Sequence, residues 1–187
     1  MNQPSVLDIP LISHLIHESL AGHDLHANEP SVDLRVLKRE AARGIVRRDE
    51  KILLLYTERY DDFSFPGGGI DAGESPIIGL KRELQEETGA QDIQVLSAFG
   101  KITEYMPTWK KDWDLMHQTS YWFHCDIAEE LGSSNLEHYE INNGMSAHWV
   151  SLEEAVSHNQ NVIKQRPATM GLSIHRETLV LKQLLEL

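Results

Sequence analysis

The 187-residue chain has one cysteine, Cys125. That excludes an intrachain disulfide framework and a cysteine-built zinc module. Cys125 stands in an apolar alternating run and reads as a small buried hydrophobe. Basic residues are few for the acids present: Lys+Arg 17 against Asp+Glu 29, a formal charge of −12. A long nucleic-acid surface needs a basic stripe, so a nucleic-acid polymer is not expected as partner. A small anionic ligand stays open, because a bound cation inverts the local field. No apolar run approaches the roughly 18 residues of a membrane span, and no basic segment leads into an apolar one at the start. The expectation is a chain with no membrane span and no secretory signal, in the cytoplasm. Hydrophobic residues at 41% and charged residues at 25% fit a globular chain with a packed core.

The pattern along the chain gives elements. Residues 8–21 read as an amphipathic helix, with Asp8 as cap, Leu11, Ile12, Leu15 and Ile16 as its stripe and Gly22 as its stop. Its other face carries His14, His17 and Glu18, with His23 and His26 soon after. His14 and His17 have a helical metal-ligand spacing, but no set of ligands converges with them, and a solvated face is the expectation. Residues 22–35 read as a linker or arm. Residues 42–46 and 51–56 read as strands joined by a turn at Arg48-Asp49-Glu50. Ile93 to Leu96, Phe99 to Met106, Leu115 to Ile127 and His148 to Val150 read as further strands. Ser151-Leu152-Glu153-Glu154 has the form of a capping box opening a helix, and Ser173 to Leu187 reads as a closing helix.

The chemistry concentrates between Gly67 and Ala90. Gly67-Gly68-Gly69 forms a loop that can bend freely and approach a ligand closely. Ser75-Pro76 starts a helix and Gly89 stops it, so the helix spans about Pro76 to Thr88. Ile77, Leu80, Leu84 and Thr88 form its buried stripe. Glu83, Glu86 and Glu87 stand to the side of that stripe, roughly a third of a turn away at ~100° per residue. Like charges at that spacing weaken a bare helix by a few tenths of a kcal/mol per pair, roughly. A hard, oxygen-seeking divalent cation, Mg2+ or Mn2+, would relieve them.

Gly68, five residues, Glu74, seven residues, then Arg82-Glu83-Leu84-Gln85-Glu86-Glu87-Thr88-Gly89 resembles the Nudix box, G-x5-E-x7-R-E-U-x-E-E-x-G-U, where U is a large aliphatic residue. The one departure is Ala90, small at the last aliphatic position. The resemblance implies an α/β (α+β) fold, a Nudix-like α/β/α sandwich around a mixed sheet. It assigns residues 36–187 to that domain, with 1–35 as an N-terminal helix and arm. It implies Mg2+, with Mn2+ as substitute, held by Glu83, Glu86, Glu87 and a loop carbonyl, that of Gly67 or Gly68. Glu86 and Glu87 would thereby be catalytic, Arg82 would orient the carboxylates and Glu74 would assist. Members often place the general base in a late loop, where Glu140 is preferred, with Glu137 and His138 as alternatives.

The implied activity is cleavage of the diphosphate link of a nucleoside diphosphate joined to another group. Pro107 resembles ADP-ribose pyrophosphatases and Tyr105 resembles dinucleoside polyphosphate hydrolases, so the substrate stays open between them. Trp109 and Lys110 can stack a base and hold a phosphate, or else pack the loop. A catalytically silent, Nudix-fold nucleotide sensor is the second reading. Apolar surface on the terminal helices points to a homodimer as a further expectation.

Overall fold

The computed structural model describes residues 8–20, 25 and 34–187. Seven strands and four helices are described. In chain order they are β1 (Leu11–Ile16), β2 (Val36–Arg48), β3 (Lys51–Thr57), β4 (Asp62–Ser64), α1 (Pro76–Thr88), β5 (Gln94–Met106), β6 (Leu115–Asp126), α2 (His138–Asn142), β7 (Met145–Ser151), α3 (Leu152–Gln165) and α4 (Ile174–Leu185). The strand order is β1-β5-β6-β2-β3-β4, with β7 on the other edge of β3. The sheet is mixed: β1 with β5 and β2 with β6 run parallel, and the remaining pairs antiparallel.

Both faces of the sheet are covered, which is the expected sandwich. Leu80 and Leu84 of α1 pack on Ala42, Val46, Leu53 and Phe123. Ala155, Val156, Val180 and Leu181 of α3 and α4 pack on Ile52, Leu54, Phe65 and Trp122. Two covered faces explain why Trp122 is as buried as Tyr121 and Phe123, although it points the other way. Cys125 is buried as expected, and burial pushes its thiol up to about 12.

The N-terminal expectation is corrected. Residues 11–16 form a strand, not a helix, and a short 3-10 turn follows at Glu18–Leu20. Leu11, Ile12, Leu15 and Ile16 do match a helical stripe. The edge of β5, however, offers a row of unpaired backbone groups, and pairing there outweighs local propensity. The Lys101 amide donates to the Pro10 carbonyl and the His17 amide to that of Tyr105, both at 2.8 Å. His14 and His17 serve local contacts: His14 Nδ1 lies 2.8 Å from Thr103 Oγ1, and His17 Nδ1 lies 2.8 Å from Ser19 Oγ. Gly22, His23, His26 and most of the expected arm lie outside the described residues. Of the terminal apolar surface, β1 joins the sheet and Ile174, Leu181 and Leu184 of α4 are buried, while Leu11, Ile16 and Leu185 stay exposed. Among the described residues no helix is long and apolar enough to cross a membrane.

Two expected strands merge. Residues 94–106 run as one strand, β5, with irregular register at Val95/Ser97 and Ala98/Gly100. Such bulges keep pairing while letting the strand bend. The hairpin of β2 and β3 pairs only at Arg47 with Ile52 and Arg48 with Lys51. Beyond that point the two strands separate. The free edge of β2 is taken up by the glycine loop: Gly44 N donates to Pro66 O at 2.8 Å, Ala42 N to Gly68 O at 3.0 Å, and Ile70 N to Glu40 O at 3.0 Å. This stitching places the loop, and what surrounds it, in the gap between the strands.

Candidate active site

Helix α1 begins and ends where its sequence signals stand. Ser75 Oγ accepts the Ile78 amide at 3.3 Å, Pro76 fills the first helical position, and Gly89 closes the helix at φ 71°. The loop after β6 then crosses the helix end. Asn135 N donates to Glu86 O at 2.7 Å and Gly132 N to Gly89 O at 2.7 Å. Ala90 is buried in the core beneath this crossing. The same loop leads into α2, which carries Glu140.

A cleft of about 180 Å³ opens beside the loop. Glu83 and Glu87 of α1, Glu140 of α2 and Gly67 to Gly69 all line it. The glycines are required by close approach. A Cβ at Gly67, whose φ is 132°, would overlap the Ala42 carbonyl, and one at Gly68 would overlap the Glu83 carboxylate. Glu87 is only 5% exposed, and its Oε2 accepts the Gly67 amide at 2.5 Å. Burial pushes its carboxyl well above the usual range, against the opposing Arg43 charge. Burial also raises Glu83, against its partner Arg82.

Arg82 organises the outer acids. It donates to Glu83 Oε1 at 2.8 Å, to both oxygens of Glu74 at 3.2 and 3.3 Å, to Glu86 Oε2 at 3.4 Å and to the Gly69 carbonyl at 3.2 Å. The hydrogen-bonded Glu74 carboxylate raises the Arg82 guanidinium and is itself lowered in return. One guanidinium thus ties the loop to the helix acids.

The donor set fits a divalent cation in chemistry. Glu83, Glu86, Glu87 and a loop carbonyl are all hard oxygens, the type magnesium and manganese take. Glu87 forms no ion pair among the described residues, so the cleft contains a buried carboxylate without a cation in contact. Among the described residues no three acidic, His or Cys side chains already converge as a metal cage. Glu86 is held on Arg82 and would exchange that contact for a metal.

The other sequence candidates fall in different places. Glu140 sits in a short helix, where a loop was expected. Its Oε2 accepts the Glu137 amide at 2.7 Å and its Oε1 accepts the Tyr139 hydroxyl at 3.2 Å. Tyr105 is 1% exposed and packs between His14 and His117, so it presents no surface to the cleft. Pro107 follows β5 outside the cleft lining. Trp109 is 67% exposed beside the Arg39 guanidinium, 6.0 Å from its ring centre, and Lys110 is exposed next to it. A groove of about 480 Å³ between β1, α3 and α4 is larger than the acid cleft but is lined by no carboxylate, so size does not locate the chemistry.

Four charged residues of the cleft carry no sequence motif: Arg39, Arg43, Asp62 and Glu177. A signal for Arg43 was present, as a charged residue inside the apolar run Ala41 to Val46. Asp62 and Glu177 gave none, because nothing local distinguishes them from surface acids. Asp62 is buried, and burial pushes its carboxyl up to about 7, with Glu177 and Asp61 adding and His158 opposing. A carboxyl raised on folding holds its proton more tightly folded than unfolded. It costs nothing below 3.8, and stability is lost as pH rises from there through about 7. At ~1.4 kcal/mol per unit, the loss reaches at most about 4 kcal/mol. Asp62→Asn is therefore expected to raise the melting temperature in chelator at pH 8 and hardly at pH 4. An equal shift at both pH values would contradict the burial effect.

Comparison with known proteins agrees with this geometry. The chain matches the NUDIX domain over residues 37–170. An RNA pyrophosphohydrolase of Bartonella henselae is 30% identical over 106 residues, covering 57% of this chain and 50% of that protein. An RNA pyrophosphohydrolase of Hamiltonella defensa is 29% identical over 135 residues, covering 65% of this chain and 83% of that one. The chain thus spans half the length of one curated relative and most of the other. Among solved structures, a NUDIX hydrolase from Nitrosomonas europaea is 17% identical with a TM-score of 0.48, covering 66% of this chain and 78% of that one. The domain match takes in the glycine loop, the acid helix and Glu140, and by it this chain belongs to the NUDIX domain family.

Proposed function

We propose that the protein is a divalent-metal-dependent hydrolase that cleaves the diphosphate link of a nucleoside diphosphate joined to another group. One observation carries the reading: the buried Glu87 carboxylate lies in a cleft with Glu83, under a glycine loop that admits no side chain. Glu83, Glu86, Glu87 and the Gly67 carbonyl would hold magnesium, or manganese in its place. When bound, the metal supplies charge neutralisation at phosphoryl oxygens and a more acidic water.

The chain's own residues supply the rest. Arg82 and Glu74 fix the helix acids against the loop. Glu87 is locked by the Gly67 amide, so its free oxygen has a set direction. Glu140, on a different element of the same cleft, is the proposed base for the attacking water. Its Oε2 is engaged by the Glu137 amide, and proton acceptance at Oε1 requires the Tyr139 hydroxyl to yield.

The relatives named as RNA pyrophosphohydrolases extend the set of substrates to test. The panel is ADP-ribose, diadenosine polyphosphates, nucleotide sugars, nucleoside triphosphates and a 5′-triphosphorylated oligoribonucleotide, each with magnesium. At least one is expected to be cleaved at a phosphoanhydride by the wild type, and ~100-fold or more slowly by Glu86→Gln. Equal product release by both proteins would sink the metal role of Glu86. Tight binding with no turnover across the panel would instead mark a sensor module.

A further inference from the structure

Two arginines in the cleft have no assigned task. Arg39 and Arg43 both lie on β2, four residues apart, an even spacing that keeps them on one side of a strand. Both line the cleft that holds Glu83, Glu87 and the glycine loop. The simplest reading is that they are counter-charges for the acids. The hydrogen bonds argue otherwise. Arg43 is only 15% exposed in its side chain, and its Nε is buried with no hydrogen-bond partner among the described residues. Its nearest carboxylate, Glu177, is 4.0 Å away. That carboxylate is already engaged: Oε1 by Arg176 at 2.9 and 3.2 Å, and Oε2 by the Phe65 amide at 3.2 Å. Glu87 is likewise engaged by Gly67.

Arg39 is little better used. Among the described residues its side chain makes one hydrogen bond, to Gln118 Oε1, long at 3.4 Å. Burial lowers its guanidinium, and the charges of Arg43 and Arg176 lower it further. Arg43, half-buried, and Arg39, exposed at the rim, thus stand near one another, and among the described residues most of their N–H donors have no protein partner. Buried donors without partners are costly, and an arginine fork matches the paired oxygens of a phosphate. The cleft between them is about 180 Å³, below the roughly 300–1,000 Å³ of a whole small-molecule site. It suits one part of a ligand. Arg39 also lines an adjoining groove of about 610 Å³ with Lys38, Glu40 and His117, which falls within that range.

We propose that Arg39 and Arg43 form an anion clamp that holds the phosphate oxygens of a diphosphate in the cleft, with the attached group lying in the adjoining groove. The clamp rests on the reading of this cleft as the diphosphate site. Arg43 holds the inner phosphate near the acids, and Arg39 holds the outer one where the two spaces meet.

The test is calorimetric titration with methylenediphosphonate, a diphosphate analogue that cannot be hydrolysed, at saturating manganese. Wild type, Arg39→Gln, Arg43→Gln and Arg43→Lys are compared, with manganese affinity measured separately. Each Gln variant is expected to weaken phosphonate binding about tenfold or more, while manganese affinity changes by less than about twofold. Arg43→Lys recovers only part, because an ammonium cannot form the fork. Unchanged phosphonate affinity in the Gln variants, or no phosphonate binding by the wild type, overturns the clamp. If Arg43→Gln does not fold, the more exposed Arg39→Gln decides alone. Arginine-dependent phosphonate binding without turnover of any substrate supports the clamp and removes the hydrolase. Turnover with arginine-independent phosphonate binding keeps the hydrolase and overturns the clamp.

Discussion

Glu87→Gln is expected to lower turnover about a thousandfold while leaving the fold intact. The amide has the size of the carboxyl, and its carbonyl can still accept the Gly67 amide. What it loses is the charge that a metal requires. The effect on stability runs the other way. An ionised carboxylate this buried is costly without a cation in contact, and the neutral amide avoids that cost. The metal-free variant should therefore melt at or above the wild type at neutral pH. Added magnesium or manganese should raise the melting temperature of the wild type and move the variant little, since only binding to the folded state stabilises. Paired thermal scans and initial rates check both halves. A variant that keeps wild-type turnover, or gains as much from metal as the wild type, would remove Glu87 from the metal site.

Arg176→Met is expected to be the most destabilising single change in the interior. Arg176 is 2% exposed and donates to Glu104 Oε2 at 2.6 Å and to Glu177 Oε1 at 2.9 Å. Burial works against its charge, but Glu177 and Glu104 together outweigh it and raise the guanidinium. Removing the cation strands two buried carboxylates joined to different layers, one on β5 and one on α4. Breaking a buried pair from one side costs about 3–5 kcal/mol. For a chain of this size that is a melting-temperature drop of roughly 6–20 °C. Adding Glu104→Leu should recover part of the loss, since it removes one stranded charge. Thermal scans of the single and double variants measure this. A drop under about 2 °C for Arg176→Met would show that the network is solvated and carries little.

Helix α1 was legible because its signals are local. Ser75, Pro76 and Gly89 each act through neighbours within a turn, and the structure starts and stops α1 at the expected residues. The same holds for Ser151, whose Oγ accepts the Glu154 amide at 3.1 Å and opens α3. The covering of both sheet faces followed from the family resemblance, not from the strands' own pattern. Where tertiary pairing decides, local reading failed. Leu11 to Ile16 fit a helix by period and became a strand because β5 had an edge to fill. Tyr105 stood out only by a family resemblance, yet strand direction turns it into a packed cluster with His14 and His117. Arg39 and Arg43 enter the cleft only because β2 parts from β3 and pairs with the glycine loop, a contact that no local pattern specifies. Glu177 comes from the last helix to the same cleft for the same reason.

The most direct measurement is phosphorus NMR of the products formed from the panel in 18O-labelled water, with magnesium and with excess chelator. The expected result is cleavage of a P–O–P bridge in at least one substrate, with the label on one of the two new phosphoryl groups. Chelator and Glu87→Gln should each abolish the signal. No bridge cleavage in any substrate, or cleavage indifferent to both chelator and Glu87→Gln, would contradict a metal-dependent diphosphate hydrolase.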